Sequence, residues 1–117
     1  MPREFINPEG MAIPPSNIYH HVVEVGNTVY IAGQLARDLE GRAMYPGDAE
    51  AQTRQAWVNL EIAVKAAGGI LTDIVKTNTY VVGAENLPKV RAARLAVQPP
   101  ERRPTSTTVV VAGLADP

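Results

Sequence analysis

At 117 residues, with 45% apolar and 20% charged side chains, the chain has the size and composition of one globular domain around one core. A net charge of −1 without any basic run argues against a nucleic-acid binder that neutralises phosphates, and the lack of cysteine excludes disulfides, thiolate nucleophiles and Cys-ligated zinc. The N-terminus is not built like a signal peptide, and no run approaches the ~20 apolar residues of a membrane span, so a cytoplasmic protein without membrane partners is expected.

Residues 1–20 are rich in Pro, Asn and Ser and read as extended, irregular chain. Val22, Val23 and Val25, then Gly26-Asn27, then Thr28–Ala32 read as two β-prone runs around a tight turn, a hairpin that ends at Gly33-Gln34. Residues 35–47 hold Asp38, Gly41, Pro46 and Gly47 and read as a loop. Asp48 can cap a helix that runs to about Ala67, where Gly68-Gly69 stops it. Ala56, Leu60, Ala63, Val64 and Ala67 share one arc of that helix. Glu50–Arg54 and Glu61–Lys65 form i,i+4 pairs on the other. Ile74–Val82 alternates and reads as a strand. Val75, Thr77, Thr79 and Val81 lie on one face; Lys76, Asn78, Tyr80 and Val82 lie on the other. Asn86 and Pro88 open a second helix that reaches about Val97, and Pro99-Pro100 forbid its continuation. Thr105–Val111 is a β-branched run and a final strand. The expected order is β-β-α-β-α-β, an α+β domain over 1–117 with both helices on one face of a mixed sheet.

Five strings resemble the Rid family, also called the YjgF family. They are Ile18-Tyr19-His20-His21-Val22, the strand Val29–Gln34, the helix from Asp48 to Gly68 with Gln52-Thr53-Arg54-Gln55 and Asn59-Leu60, the strand Asp73–Val81, and Pro104 to Leu114. The resemblance runs from about residue 12 to 114, in order and with short gaps. It implies a chorismate-mutase-like fold assembled as a homotrimer, with small-molecule clefts between neighbouring subunits. It also implies hydrolysis of enamines and imines, releasing ammonia and a 2-keto acid. Family members usually continue past the position of Leu114 into one more strand, which carries a glutamate that helps to position water. The domain here reads as one without that strand.

The family's chemistry relies on an arginine two residues after a proline, which grips the substrate carboxylate. In Pro104-Thr105-Ser106-Thr107 that position is Ser106, which carries no charge. The resemblance therefore implies a remodelled cleft with no assigned catalytic residue. Tyr19, Gly33, Gln34, Ser106, Thr107 and Arg91 are its candidate ligand-binding residues. Arg91 and Arg94 are spaced i,i+3 on the second helix. One of them can stand in for the missing cation; otherwise the pair is a solvated helix face. His20 is a candidate proton carrier. Neighbouring His20 and His21 would point to opposite sides of a strand, so no metal site is expected. No Gly-rich phosphate loop is present, and hydrolysis needs no cofactor. A non-catalytic small-molecule-binding or regulatory trimer is the alternative reading.

Overall fold

The computed structural model describes residues 2–116; Met1 and Pro117, the outermost residues of the expected 1–117 domain, lie outside the described residues. Five strands and two helices follow in the order β1 (Glu4–Ile6), β2 (Val22–Val25), β3 (Thr28–Ile31), α1 (Ala49–Ala66), β4 (Lys76–Val82), α2 (Leu87–Leu95) and β5 (Thr105–Val111). The fold is α+β, as the sequence indicates.

The hairpin forms around Gly26, whose φ of 58° is in the left-handed region that the turn requires. Val22 pairs with Ile31 and Val25 with Thr28. β1 corrects the reading of the first 20 residues as irregular. Glu4, Phe5 and Ile6 pair antiparallel with Glu24, Val23 and Val22. The three residues of β1 are too few for an alternation to register in the sequence. Their pairing depends instead on β2, and on Asn7 Oδ1, which accepts the His21 backbone N–H at 3.0 Å.

β4 and β5 are parallel and in register from Lys76↔Thr105 to Val82↔Val111, joined through α2. β4 begins two residues later than expected, because Leu71–Asp73 form a 3₁₀ turn first. The single mixed sheet is also corrected. The ladders form two sets, β1-β2-β3 and β4-β5, with no ladder between them among the described residues.

Helix α1 starts as its sequence dictates. Asp48 Oδ1 accepts the Ala51 backbone N–H at 3.0 Å, satisfying one of the amides that a helix start leaves unpaired. Both expected i,i+4 ion pairs form. The buried stripe is rotated from the expected arc and consists of Trp57, Asn59, Ala63 and Val64. Ala56 and Leu60 are only half-buried. Asn59 is inside because its amide is used: Nδ2 donates to the Leu35 carbonyl at 3.0 Å, and Oδ1 accepts from Gln55 Nε2 at 3.1 Å.

At the other end Gly68 has φ +88° and its N–H reaches the Lys65 carbonyl at 3.0 Å, while Gly69 N–H reaches Val64. A Cβ at Gly68 would meet nothing within 4 Å among the described residues. The cost of Gly68→Ala is therefore left-handed backbone strain alone, about 1 kcal/mol, which urea denaturation would register as a lower midpoint at unchanged slope.

The core gathers Val22, Ala36, Trp57, Ala63, Val64, Val81, Val90 and Ala93, with α2 laid against α1 through Val90 and Ala93. On β4 the face carrying Thr77, Thr79 and Val81 is covered, whereas Lys76, Asn78, Tyr80 and Val82 are exposed. The helices thus lie over one face and leave the other open.

Candidate functional site

A guanidinium sits on the covered face of the parallel pair. Arg94, in the last turn of α2, donates through Nη2 to Ser106 Oγ at 2.8 Å and to Thr77 Oγ1 at 3.4 Å. Through Nη1 it donates to Thr108 Oγ1 at 3.3 Å. The strand register explains the grouping. Thr77 lies opposite Ser106, and Thr108 is two residues along β5, so all three hydroxyls share one side of the pleat. Burial pushes the Arg94 pKa down from its ordinary value, but an arginine stays charged. Among the described residues no carboxylate pairs with Arg94, Arg91 or Arg103.

Beside this guanidinium lies a cleft of about 230 Å³ whose lining includes Trp57, Arg91, Arg94, Gln98, Arg103 and Ser106. A second hollow of about 180 Å³, lined by Leu87, Val90, Arg91, Arg94 and Thr108, adjoins it through the two shared arginines. Gln98 is 4% exposed. Its Nε2 donates to the Leu71 carbonyl at 3.2 Å, and its Oε1 is buried with no partner among the described residues.

The sequence candidates divide into two groups. Arg91 and Ser106 line the cleft. Thr107 does not join them: pairing with Asn78 puts it on the open face, opposite to Ser106. Tyr19, His21 and Gln34 form a separate cluster near Arg37. Gln34 Nε2 donates to His21 Nδ1 at 3.2 Å and to the Ala32 carbonyl at 3.1 Å. His21 Nε2 lies 2.7 Å from the Ala12 carbonyl. That pair of contacts assigns the imidazole proton to Nε2. The Tyr19 ring meets His21 edge-on at 5.9 Å. Gly33 is exposed, and among the described residues nothing lies within 4 Å of where its Cβ would be. Among the described residues no other part of the chain packs closely against this strand end. His20 is exposed against Phe5, at 5.3 Å between ring centroids. Among the described residues no hydrogen bond or ion pair links the Tyr19–Gln34 cluster to Arg94 and Ser106.

Residues 9–117 match the family model described as Endoribonuclease L-PSP. The chain belongs to this family, the Rid/YjgF family. The 3-aminoacrylate deaminase RutC of Acinetobacter baylyi is 34% identical over 109 residues, covering 84% of this chain and 86% of the relative. A 2-iminobutanoate/2-iminopropanoate deaminase of Dermatophagoides farinae is 31% identical over 80 residues, and the match spans 68% of this chain but only 62% of that relative's length. Among solved structures, the YjgF gene product of E. coli superposes with a TM-score of 0.85 at 30% identity, covering 96% of this chain and 88% of that one. The yeast protein YEO7 superposes with a TM-score of 0.88 at 18% identity and supports the fold alone.

Within this Rid/YjgF chain the sequence left Thr77, Thr108, Gln98 and Arg103 out of the site. Thr77 and Thr108 are recognisable only once the parallel register of β4 and β5 is known. Gln98 carried a weak signal, a polar residue wedged before Pro99-Pro100. No helix is long and apolar enough to cross a membrane among the described residues.

One ion pair ties down the loop that follows Gln34. Arg37 Nε and Nη2 donate to the two carboxylate oxygens of Asp116, each at 2.7 Å. The hydrogen bond from Arg37 is the main reason that the Asp116 carboxyl titrates below the ordinary carboxylate range. Because the folded value is the lower one, the pair's contribution is complete above the unfolded aspartate value of about 4 and is lost as pH falls through the folded value. Asp116→Asn is expected to cost roughly 0.2–1 kcal/mol at neutral pH. It should also remove part of the stability loss below about pH 4, which urea melts from neutral to acid pH would measure.

Proposed function

We propose that this protein is a deaminase that hydrolyses C=N bonds of imino or enamino acids, with Arg94 gripping the substrate carboxylate. The relatives named as imine and aminoacrylate deaminases support the reaction class. The single observation that carries the rest is the Arg94 guanidinium at 2.8 Å from Ser106 Oγ. Family resemblance expects the cation on the strand, at Ser106. Here the strand offers a hydroxyl, and the neighbouring helix brings a charge to that hydroxyl. A guanidinium can hold a carboxylate through two parallel N–H donors. Half-burial without a carboxylate partner among the described residues leaves that charge available, because the three hydroxyls that accept from it are neutral. Turnover adds water across C=N, and the carbinolamine collapses to a carbonyl and ammonia.

The same reading takes the Tyr19–Gln34 cluster as the wall of a cleft completed by another copy. The open face supports a homotrimer: Tyr80 (55% exposed) and Val109 (40%) stand on the side of β4 and β5 that no helix covers. A solution mass three times the 12.6 kDa of one chain is expected, measured by light scattering.

Among the described residues, the side chains that hydrogen-bond Arg94 are hydroxyls, and none is a general base at neutral pH. That favours, as the second reading, a trimer that binds imino or keto acids without turning them over. Ammonia release from enzymatically generated imino acids, aliphatic through aromatic, separates the two. Acceleration over the spontaneous rate supports the deaminase. Carboxylate binding without acceleration selects the binder.

A further inference from the structure

We propose that Arg37 is a carboxylate-binding site separate from Arg94, one that Asp116 fills in the free chain and gives up to a small organic acid.

The fold already shows a carboxylate seated there. Arg37 Nε and Nη2 meet the two Asp116 oxygens side by side, each at 2.7 Å. In the same fork geometry a guanidinium takes a carboxylate from solution. The Asp116 side chain thus stands where a ligand's carboxylate would. Both side chains keep solvent access, 22% for Arg37 and 24% for Asp116, so an exchange does not require the core to open. Tyr19 adjoins the guanidinium: after Asp116, it is the side chain that raises the Arg37 pKa. The site therefore opens beside the Tyr19–Gln34 cluster and away from the cleft at Arg94.

The two partners are held very differently. The loop of Arg37 has further ties of its own. Asn59 Nδ2 donates to the Leu35 carbonyl at 3.0 Å and to the Arg37 carbonyl at 3.4 Å. Gln52 Nε2 donates to the Met44 carbonyl at 3.2 Å, and the Met44 N–H to the Ala36 carbonyl at 2.7 Å. Arg37 itself pairs with Ala43 in an isolated antiparallel bridge. Two amides of the family's helix motif, Gln52 and Asn59, thus acquire a local task, which is to fix the backbone that presents this cation. The stretch 113–116 has no comparable hold. Among the described residues its only hydrogen bonds are those of Asp116 to Arg37, and residues 113–115 are exposed.

A fixed cation and a loosely carried anion make an exchangeable pair. A short flexible tether supplies its carboxylate at an effective concentration of about millimolar. An organic acid at a similar concentration competes with it on equal terms.

Magnetic resonance titration of the intact chain with propanoate, at fixed ionic strength, reads the arginine side chains one by one. The Arg37 Nε signal should move with propanoate and stay still with propanamide. Asp116→Asn keeps the shape and removes the competing charge. It should bind propanoate at Arg37 roughly 1.4- to 5-fold more tightly, the factor that an exposed ion pair withholds. Asp116→Glu keeps a tethered carboxylate and should return the affinity to that of the parent. Glu40→Gln removes a neighbouring charge that pairs with Arg42 and should change nothing. An Arg37 signal that ignores propanoate in the Asp116→Asn chain would overturn the proposal. So would equal affinity in parent and Asp116→Asn, or an equal gain in Glu40→Gln. The Arg94 Nε signal is followed in the same titration. Binding at Arg94 alone rejects the Arg37 site and leaves the proposed deaminase cleft standing; binding at Arg37 alone does the reverse.

Discussion

Replacing Arg94 by alanine lowers carboxylate affinity, and with it kcat/KM for ammonia release, by roughly 10- to 150-fold, the equivalent of about 1.5–3 kcal/mol for a hydrogen bond to a charged group. The same variant should fold at least as stably as the parent. Arg94 is partly desolvated and has no carboxylate partner among the described residues, so its charge is a burden to the unliganded protein. Loss of binding at unchanged or raised Tm distinguishes a ligand-gripping arginine from one that merely ties α2 to β5. Arg94→Lys should recover only part of the affinity, because an ammonium is a point charge and cannot present two parallel donors. Ser106→Ala should cost less, since it removes a neutral hydroxyl and leaves the charge. Calorimetric titration with a carboxylate probe, paired with thermal melts, checks all three. Unchanged affinity in Arg94→Ala would remove the arginine from the site.

The largest effect on stability is expected at Asn59. Asn59→Ala deletes the donor to the Leu35 carbonyl at 3.0 Å and the acceptor for Gln55, in a residue only 7% exposed. An unsatisfied buried group and a small void together cost about 1–3 kcal/mol, a fall in Tm of roughly 4–12 °C for a domain of this size. Asn59→Asp should be worse at neutral pH in spite of its matching shape. A carboxylate cannot donate, so it would turn a buried charge toward the Leu35 and Arg37 carbonyls, the latter 3.4 Å from the present amide nitrogen. Thermal melts of the two variants settle the order; a smaller loss for Asp than for Ala would contradict it.

Asn59 also illustrates what a sequence can reveal. The helix around it was legible from the Asp48 cap, the i,i+4 ion pairs and the Gly68 stop, all of which act within a few residues. Burial of Asn59 was not, because a polar side chain joins a core only when distant carbonyls await it, and those belong to a loop 22 and 24 residues away. β1 failed for the same reason: its three residues become a strand only through β2. At the site, Ser106 was found from the family pattern and Arg91 and Arg94 from their helical spacing. Thr107 was grouped with Ser106 because they adjoin in sequence, yet neighbours on a strand face opposite ways. Thr77 and Thr108 needed the register of a parallel pair, which no local pattern encodes.

Arg94 is mounted on a helix rather than on a strand, and this changes how its reach is set. A strand residue is held by ladder bonds on a rigid sheet. Arg94 is carried by α2, whose own seat is the contact of Val90 and Ala93 with α1. The guanidinium is therefore the far end of a lever whose fulcrum is an alanine 2% exposed. A methylene added at that fulcrum would tilt the arm and move the charge across the cleft without touching any residue that lines it. Selection could retune ligand preference in this lineage from inside the core, while the lining stays unaltered.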